Sequence, residues 1–552
     1  MFIRVKQKPN GKQSVQIVTT LQTPSGPRQK ILRHVGLAAN ERELNEMKLL
    51  ATKIKVDLET DERPILPGLD RYEGHHEVEQ VELAVKVADL KETSRVNDGF
   101  LEVFGKVYDD LGFDKLIDGT RNDDNCNKTL KSCVMARLFE PSSKSAASAL
   151  IAEQFGATVS DDQIYRMMDK VSERVELIKD AIRQNTLAIL DNVVDVAFFD
   201  VTTLYFESFT PDELRGFGFS KDCKFAQTQV VLALITTSAG LPLGYELFPG
   251  NTSEASTLIP VIQKIKEKFD VAKISVVADR GMFSKDNLDS LDRLGVKYVV
   301  AAKLKALPIA YKDKLLNSSA AFRPAVVHKD FCWISDFANF RDGRRFIINY
   351  SSKRAKKDQA DRQKLLERLH KKISKDKTIT VKKLLTNAGT KKFISTPTNC
   401  KSTIDESKIL RDAEMDGLHG IATNDQLTPP LELLHRYRGL WTIEDAFRVN
   451  KYNLQMRPIF HWKPERIHAH IALCFITYSL IKITHFKVNQ NLTDKLSIED
   501  IRHQLRLAQS SVVVDLNSGR SFLLPSNQTP EQKIIYEAIG LKRQQKPQMI
   551  KV

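Results

Sequence analysis

The run VVDVAFFDVTTLYFES (193–208) is dense in Val, Phe, Thr and Tyr and holds neither Gly nor Pro, the composition of a β-strand. On period-two alternation one face carries Val194, Val196, Phe198, Asp200, Thr202, Leu204 and Phe206. That face is apolar except around Asp200. An ionised carboxylate taken out of water costs several kcal/mol unless something compensates it. A chain that buries this strand must therefore also supply a partner for Asp200.

The residues that follow alternate in type. AQTQVVLALITTSAGLPLGYELFPG (226–250) reads as two strands joined through Ala239-Gly240, STLIPVIQKIKEKF as an amphipathic helix and KISVVADRG as a buried strand. SKDNLDSLDRLG then reads as a helix and KYVVAAK as another strand. Three strands in a meander, then helix, strand, helix, strand, is the order of a ribonuclease H-like α/β sheet. Periodicity weakens after residue 304, where SKRAKKDQADRQKLLERLHKKISKDK (352–377) carries eleven Lys/Arg against four Asp/Glu; it reads as a helix, solvated or phosphate-facing. The α/β pattern resumes at MDGLHGIATN (415–424). One long helix is expected over LELLHRYRGLWTIEDAFRVNKYNL (431–454), and a buried helix over RIHAHIALCFITYSLIKI.

With 552 residues the chain should divide into about three or four domains, and 42% hydrophobic content excludes a disordered protein. The 84 Lys+Arg against 69 Asp+Glu leave +15, a balance that favours a polyanionic partner, nucleic acid before an anionic membrane. Residues 1–40 contain seven Lys/Arg and no acid. Short β-rich runs there flank an Asn10-Gly11 turn, with PSGP as a second turn: a small basic β-module suited to touching DNA, or an ordinary charged meander. Residues 55–95 are acidic and loop-like, a linker. Residues 96–188 read as a helical bundle, with a helix-turn-helix as the alternative and Ser caps in EPSSKSAASAL. Six scattered cysteines form no CxxC pair, which argues against a zinc site or disulfide framework. The N-terminus lacks the apolar core of a signal peptide, and the apolar stretch 467–484 contains two His and a Lys, so no membrane span is expected. A cytoplasmic, nucleoid-associated location follows.

Three carboxylates stand out. Asp200 is mid-strand; Asp279 closes ISVVAD before Arg280-Gly281, at a strand's C-terminal end, where α/β sites are usually built; Glu444 lies on the long helix. At 100° per residue, positions seven apart differ by only about 20°, so Tyr437, Glu444 and Lys451 line one stripe, with Arg448 beside it. A carboxylate flanked by phosphate-binding groups suits a metal site laid against a nucleic-acid backbone.

YRGLWTIEDAFRVNK (437–451) resembles the Y-x2-R-x3-E-x6-K signature of DDE transposases of bacterial insertion sequences. FFDVTTLYFE, VVADRGMFS and RPIFHWKPERIHAHIALCF are similar to that group's motifs around its first Asp, around its second Asp and after its Glu; LPLGYELFPGNTSE and EPSSKSAA match further stretches. The resemblance implies that Asp200, Asp279 and Glu444 are the catalytic, metal-binding triad of a ribonuclease H-like (retroviral integrase-like) domain, with Tyr437, Arg448 and Lys451 on DNA. It implies two Mg²⁺ ions, Mn²⁺ being an alternative, in a two-metal phosphoryl transfer. Water would free a 3′-OH at the element's end, and that 3′-OH would attack target DNA. Double-stranded DNA (transposon ends and target) and a homodimer in the synaptic complex are the implied partners. A nuclease without strand transfer, or a domesticated DNA-binding protein, are the rival readings. The domains become 1–95 (basic β-rich module and linker), 96–188 (helical, DNA-binding), 189–303 (catalytic core), 304–410 (insertion), 411–486 (catalytic core) and 487–552 (C-terminal tail). Leu440 stands where the signature has Arg. At i−4 from Glu444 it should still face the stripe.

Overall fold

A computed structural model describes residues 2–8, 13–23, 26–38, scattered positions of 41–55, 87–117, 121–219, 226–268, 274–279, 281, 284–318, 322–327, 330–375, 392–395 and 403–550. At the N-terminus β1 (Phe2–Gln7), β2 (Gln13–Thr23) and β3 (Gly26–Ala38) pair antiparallel in that order. One face of this sheet buries Val15, Ile17 and Ala38 against Leu44 and Ala51. The Asn10-Gly11 turn, the start of PSGP and most of the acidic stretch 55–95 lie outside the described residues.

The end of that stretch is described, and it is not linker: Leu90–Val96 is a strand, β4. Five helices follow, α1 (Asp98–Asp110), α2 (Arg121–Phe139), α3 (Lys144–Phe155), α4 (Asp161–Glu173) and α5 (Val175–Ile189). Ser143 caps α3 by accepting from Ala146 N, and Ser160 forms a capping box with Gln163 on α4.

The central sheet begins with β5 (Val196–Tyr205), β6 (Gln229–Thr237) and β7 (Pro242–Pro249), then α6 (Glu254–Lys268), β8 (Ser275–Ala278), α7 (Lys285–Arg293) and β9 (Lys297–Ala301). Gly240, at φ +75°, makes the β6–β7 turn. β5, β6 and β7 are antiparallel neighbours, whereas β5, β8 and β9 run parallel, which fits the mixed α/β arrangement expected from the order of elements. The chain continues through α8 (Ile309–Asn317), β10 (Arg323–Val327), β11 (Asp330–Arg341), β12 (Arg344–Tyr350), α9 (Ser352–Lys375), the short pair β13 (Ile394–Ser395) and β14 (Thr403–Ile404), α10 (Glu406–Glu414) and β15 (Leu418–Thr423). The nine-stranded order is β10-β11-β12-β15-β9-β8-β5-β6-β7. Residue 304 is therefore no edge of a body, because β10–β12 extend the same sheet and β12 pairs with β15. The periodicity faded there because β10 and β11 are outer strands with many exposed positions.

After β15 come α11 (Pro430–Arg438), α12 (Trp441–Arg448) and the long α13 (Pro464–Asn489). Among the described residues α13 is the one helix long and apolar enough to cross a membrane, and 94% of that apolar window is buried inside the protein. It packs against α1, α2, α4 and α5 and so joins the helical bundle to one face of the sheet.

Residues 487–552 are not a tail. They fold as α14 (Ile498–Leu507), β16 (Ser510–Asp515), β17 (Ser521–Pro525), α15 (Pro530–Ala538) and β18 (Gln548–Ile550), in a four-stranded sheet of order β18-β17-β16-β4. Tyr536 Oη donates to Glu102 at 2.6 Å, and buried Arg543 donates to Asp98 at 3.4 Å. β4 could not be read as a paired strand locally, because its partner β16 lies near the other end of the chain.

Candidate active site

The register sets the two aspartates side by side. β5 and β8 pair in parallel through Phe199↔Ala278, and the next residue along each strand is Asp200 and Asp279. Alternation then fixes their face. Phe198 and Leu204 on β5, and Val277 on β8, belong to the core beneath α12 and α13, whereas Phe199, Val201 and Ala278 belong to the opposite core with α6 and α7. Asp200 and Asp279 share the parity of Phe198 and Val277, so both carboxylates point to the α12–α13 side. Asp200 is half-buried and Asp279, at the strand end, is exposed.

That face is crossed by α11 and α12. α11 packs over β8, β9 and β10, and α12 over β5 and β6. The contact point is Gly439, where an added Cβ would stand 2.7 Å from Phe198 Cζ, two residues before Asp200 on the same face. Gly439→Ala is accordingly expected to cost about 1–3 kcal/mol through overpacking, read as a lowered midpoint in denaturant unfolding with an unchanged slope.

The expected single helix over 431–454 is instead three segments. Between α11 and α12 the amides bond three residues back: Leu440 N to Tyr437 O at 3.1 Å, Thr442 N to Gly439 O at 3.0 Å and Ile443 N to Leu440 O at 3.1 Å. Such a 3₁₀ turn advances about 120° per residue. Beyond Arg448 the chain loosens into a π-helical turn, Val449–Asn453. Spacing of seven therefore does not make a straight stripe here. Leu440 turns inward and is 7% exposed, in the core that contains Ile443 and Phe447; the expectation that it faces the stripe is corrected.

Each candidate side chain has a definite place. Tyr437 is half-buried with its Oη 3.5 Å from Asp279 Oδ1, the outer limit of a hydrogen bond. Its ring lies 5.4 Å from that of His419 on β15. Glu444 and Arg448 are exposed on α12, and Lys451 is half-buried in the π-turn. Arg448 donates to Asp445 at 2.5 Å, and Asp445 also lies 3.7 Å from Lys482 Nζ on α13. Burial pushes the Lys482 ammonium below its usual range, with Asp445 opposing the shift.

The structure thus brings Asp200, Asp279 and Tyr437 together and lays the helix bearing Glu444 across the same face. Hard carboxylate oxygens are the donors that Mg²⁺ takes, so Asp200 and Asp279 fit such an ion by type and adjacency. Glu444 is not gathered with them: among the described residues no three His, Cys, Asp or Glu side chains stand close enough to hold one ion. Sequence reasoning missed His419 and Glu254. The Glu254 carboxylate reaches the loop after Asp279, 3.0 Å from where a Cβ on Gly281 would stand. Its signal was its place in GNTSE.

A family profile described as "Transposase DDE domain" matches residues 195–480. No curated protein matches the chain. Among solved structures, the chain is similar to "Mos1 transposase paired-end complex with left transposon end" at 14% identity and a TM-score of 0.14, over 29% of this chain. The match spans about half of that protein's length, 54%.

Proposed function

We propose, since this chain belongs to the transposase DDE domain family, that it cuts DNA at the ends of a bacterial insertion sequence and joins the freed ends to target DNA. The observation that carries this reading is the register that makes Asp200 and Asp279 neighbours on one face of a mixed sheet. Asp200 and Asp279 would hold a divalent cation of the Mg²⁺ class, with Glu444 completing the set from α12. Bound there, it would activate the attacking oxygen and stabilise the leaving one. Tyr437 orients the Asp279 carboxylate, while Arg448 and Lys451 offer cations to phosphates of the cleaved strand. In the first transfer, water forms a bond to phosphorus as the bond to the 3′ oxygen breaks. In the second, that 3′ oxygen forms a bond to a phosphorus of the target strand as the bond from that phosphorus to the target's own 3′ oxygen breaks, leaving a 3′-OH on the target. Two ends must be held at once, which calls for at least two copies of the chain. The ribonuclease H-like core and the insertion between the second Asp and the Glu belong to the same reading.

The test incubates the protein with the DNA flanking its gene and Mg²⁺. Nicks at the ends of short inverted repeats, followed by joined products, are expected. Nicking without joining would favour a nuclease, and binding without any metal-dependent nicking would sink the enzymatic reading.

End recognition is assigned to the basic β-module, with the 96–188 helices assisting. Binding should fall steeply with salt, by about 10³-fold between 50 and 200 mM if six phosphates are contacted. Deleting residues 1–55 should weaken binding and flatten that slope; the deletion stops there because β4 belongs to the C-terminal sheet. Unchanged affinity and slope in a filter-binding titration would remove the module from this role.

A further inference from the structure

Where the helical bundle meets the connection 454–463, the protein gathers bases and no acid. Arg137 near the end of α2, Lys144 at the start of α3, His461 in the connection and His470 on α13 form the cluster. Arg137 Nη1 donates to the Leu454 carbonyl at 2.8 Å and the Gln455 carbonyl at 3.3 Å. His470 Nε2 donates to the Met456 carbonyl at 3.0 Å, its Nδ1 is buried without a hydrogen-bond partner, and its ring lies 5.4 Å from that of His461. Lys144 is 8% exposed and, among the described residues, makes no hydrogen bond or ion pair. The groups acting most strongly on Lys144, His461 and His470 are one another, Arg137, Arg466 and the thiols of Cys133 and Cys474; no carboxylate is among them. Burial and Arg137 push the Lys144 ammonium down to about 8, and burial with Lys144, Arg137 and Arg466 pushes His461 down to about 4. A buried cation without an opposite charge is costly. Lys144 also stands at the positive end of the α3 dipole, where a cation has the wrong sign.

We propose that the first turn of α3, with Lys144, Arg137 and His461, binds a phosphate group, and that the occupant is a backbone phosphate of duplex DNA. The inference rests on the DNA-binding reading above and adds to it one contact outside the cleavage site. Ser143 and Ser145, on either side of Lys144, are exposed, so an anion can reach this turn from solvent. The Ser143 side chain accepts from Ala146 N and the Ser143 carbonyl from Ala147 N. The amides of Lys144 and Ser145 are the first two of the helix and have no partner within it; such amides are donors suited to phosphate. The connection that carries His461 starts beyond Lys451 and is tied to the sheet beside the aspartates. Ile459 N donates to Tyr205 O at 3.2 Å, and Tyr205 lies five residues past Asp200 on β5. That distance is about 17 Å, the length of about five base pairs of duplex. Backbone leaving the cleft along this connection therefore passes the first turn of α3. A contact of this kind carries no sequence information and sets register, here between the helical bundle and the cut.

The test uses the full chain, a duplex carrying the element's end and a scrambled duplex. Lys144→Met removes a buried charge at similar length, so it should melt no lower than wild type. It should bind both duplexes about 10- to 100-fold more weakly, with the slope of log affinity against log salt flatter by about one. His461→Gln, at a half-buried position, should weaken both duplexes too and carries the same readouts if Lys144→Met folds poorly. Methylphosphonates are then placed in the end duplex one linkage at a time. One neutral linkage outside the cut should weaken wild type and cost Lys144→Met nothing further. Wild-type affinity and slope in both variants, or a scan in which no linkage separates wild type from Lys144→Met, would overturn the inference and leave the DNA-binding reading standing. Inorganic phosphate that raises the melting temperature of wild type but not of Lys144→Met, with equal DNA binding by the two, would overturn the assignment to DNA in favour of a free phosphate. Failure of wild type to bind any duplex would overturn both readings.

Discussion

Asp200→Ala, Asp279→Ala and Glu444→Ala are each expected to lower DNA strand cleavage by about 10²–10⁴-fold, the several kcal/mol of charge stabilisation that carboxylate-held metal chemistry supplies. Binding to the ends should change little, because none of the three is among the cations assigned to phosphates. The three variants need not be equal in stability. Asp200 is half-buried in the middle of β5, whereas Asp279 and Glu444 are exposed, so only Asp200→Ala should alter the melting temperature measurably. Glu444→Ala is the most discriminating of the three, since Glu444 is not gathered with the aspartates. Wild-type-like nicking by that variant in Mg²⁺ would remove it from the site and leave Asp200 and Asp279 as a pair. Wild-type-like nicking by an aspartate variant would sink the site altogether. Asp279→Asn offers a further readout, because it keeps a partner for Tyr437 Oη while losing the negative charge.

How much of this was legible in the sequence depends on how local each signal is. β8 and β9 announce themselves because they are short apolar runs between helices, and β5 because it is dense in Val, Phe, Thr and Tyr. The adjacency of Asp200 and Asp279 is a register between strands far apart in the chain, and no local pattern encodes it; only the resemblance to a family tied them together. The reading of 431–454 as one helix failed for a different reason. Its apolar positions do fit a helical period, but Gly439 lets the backbone come down on Phe198, and the turn tightens there. Spacing arguments assume a constant 3.6 residues per turn, so they carry through neither the tightened turn nor the π-turn beyond Arg448. The place of β4 in the C-terminal sheet was illegible because its partner β16 lies more than four hundred residues further along the chain.

Leu440→Arg tests where that failure matters most. Had Leu440 faced the stripe, arginine would restore the signature's guanidinium and tighten DNA binding. Buried at 7% exposure among Ile443 and Phe447, it should do the opposite. A charge placed there without a partner costs about 3–5 kcal/mol, a large share of the 5–15 kcal/mol that holds a typical domain. Two neighbouring cations are engaged elsewhere: Arg436 is paired with Glu432 at 2.6 Å, and Arg438 donates to the Val327 carbonyl and lies 3.7 Å from Asp330. The expected result is a large fall in melting temperature with no gain in DNA affinity. Leu440→Met, which conserves volume, should cost less than about 1.5 kcal/mol and separates the effect of charge from that of repacking. A Leu440→Arg protein that melts like wild type and binds DNA more tightly would mean that the side chain reaches solvent along α12, and the inward turn at Gly439 would have to be abandoned.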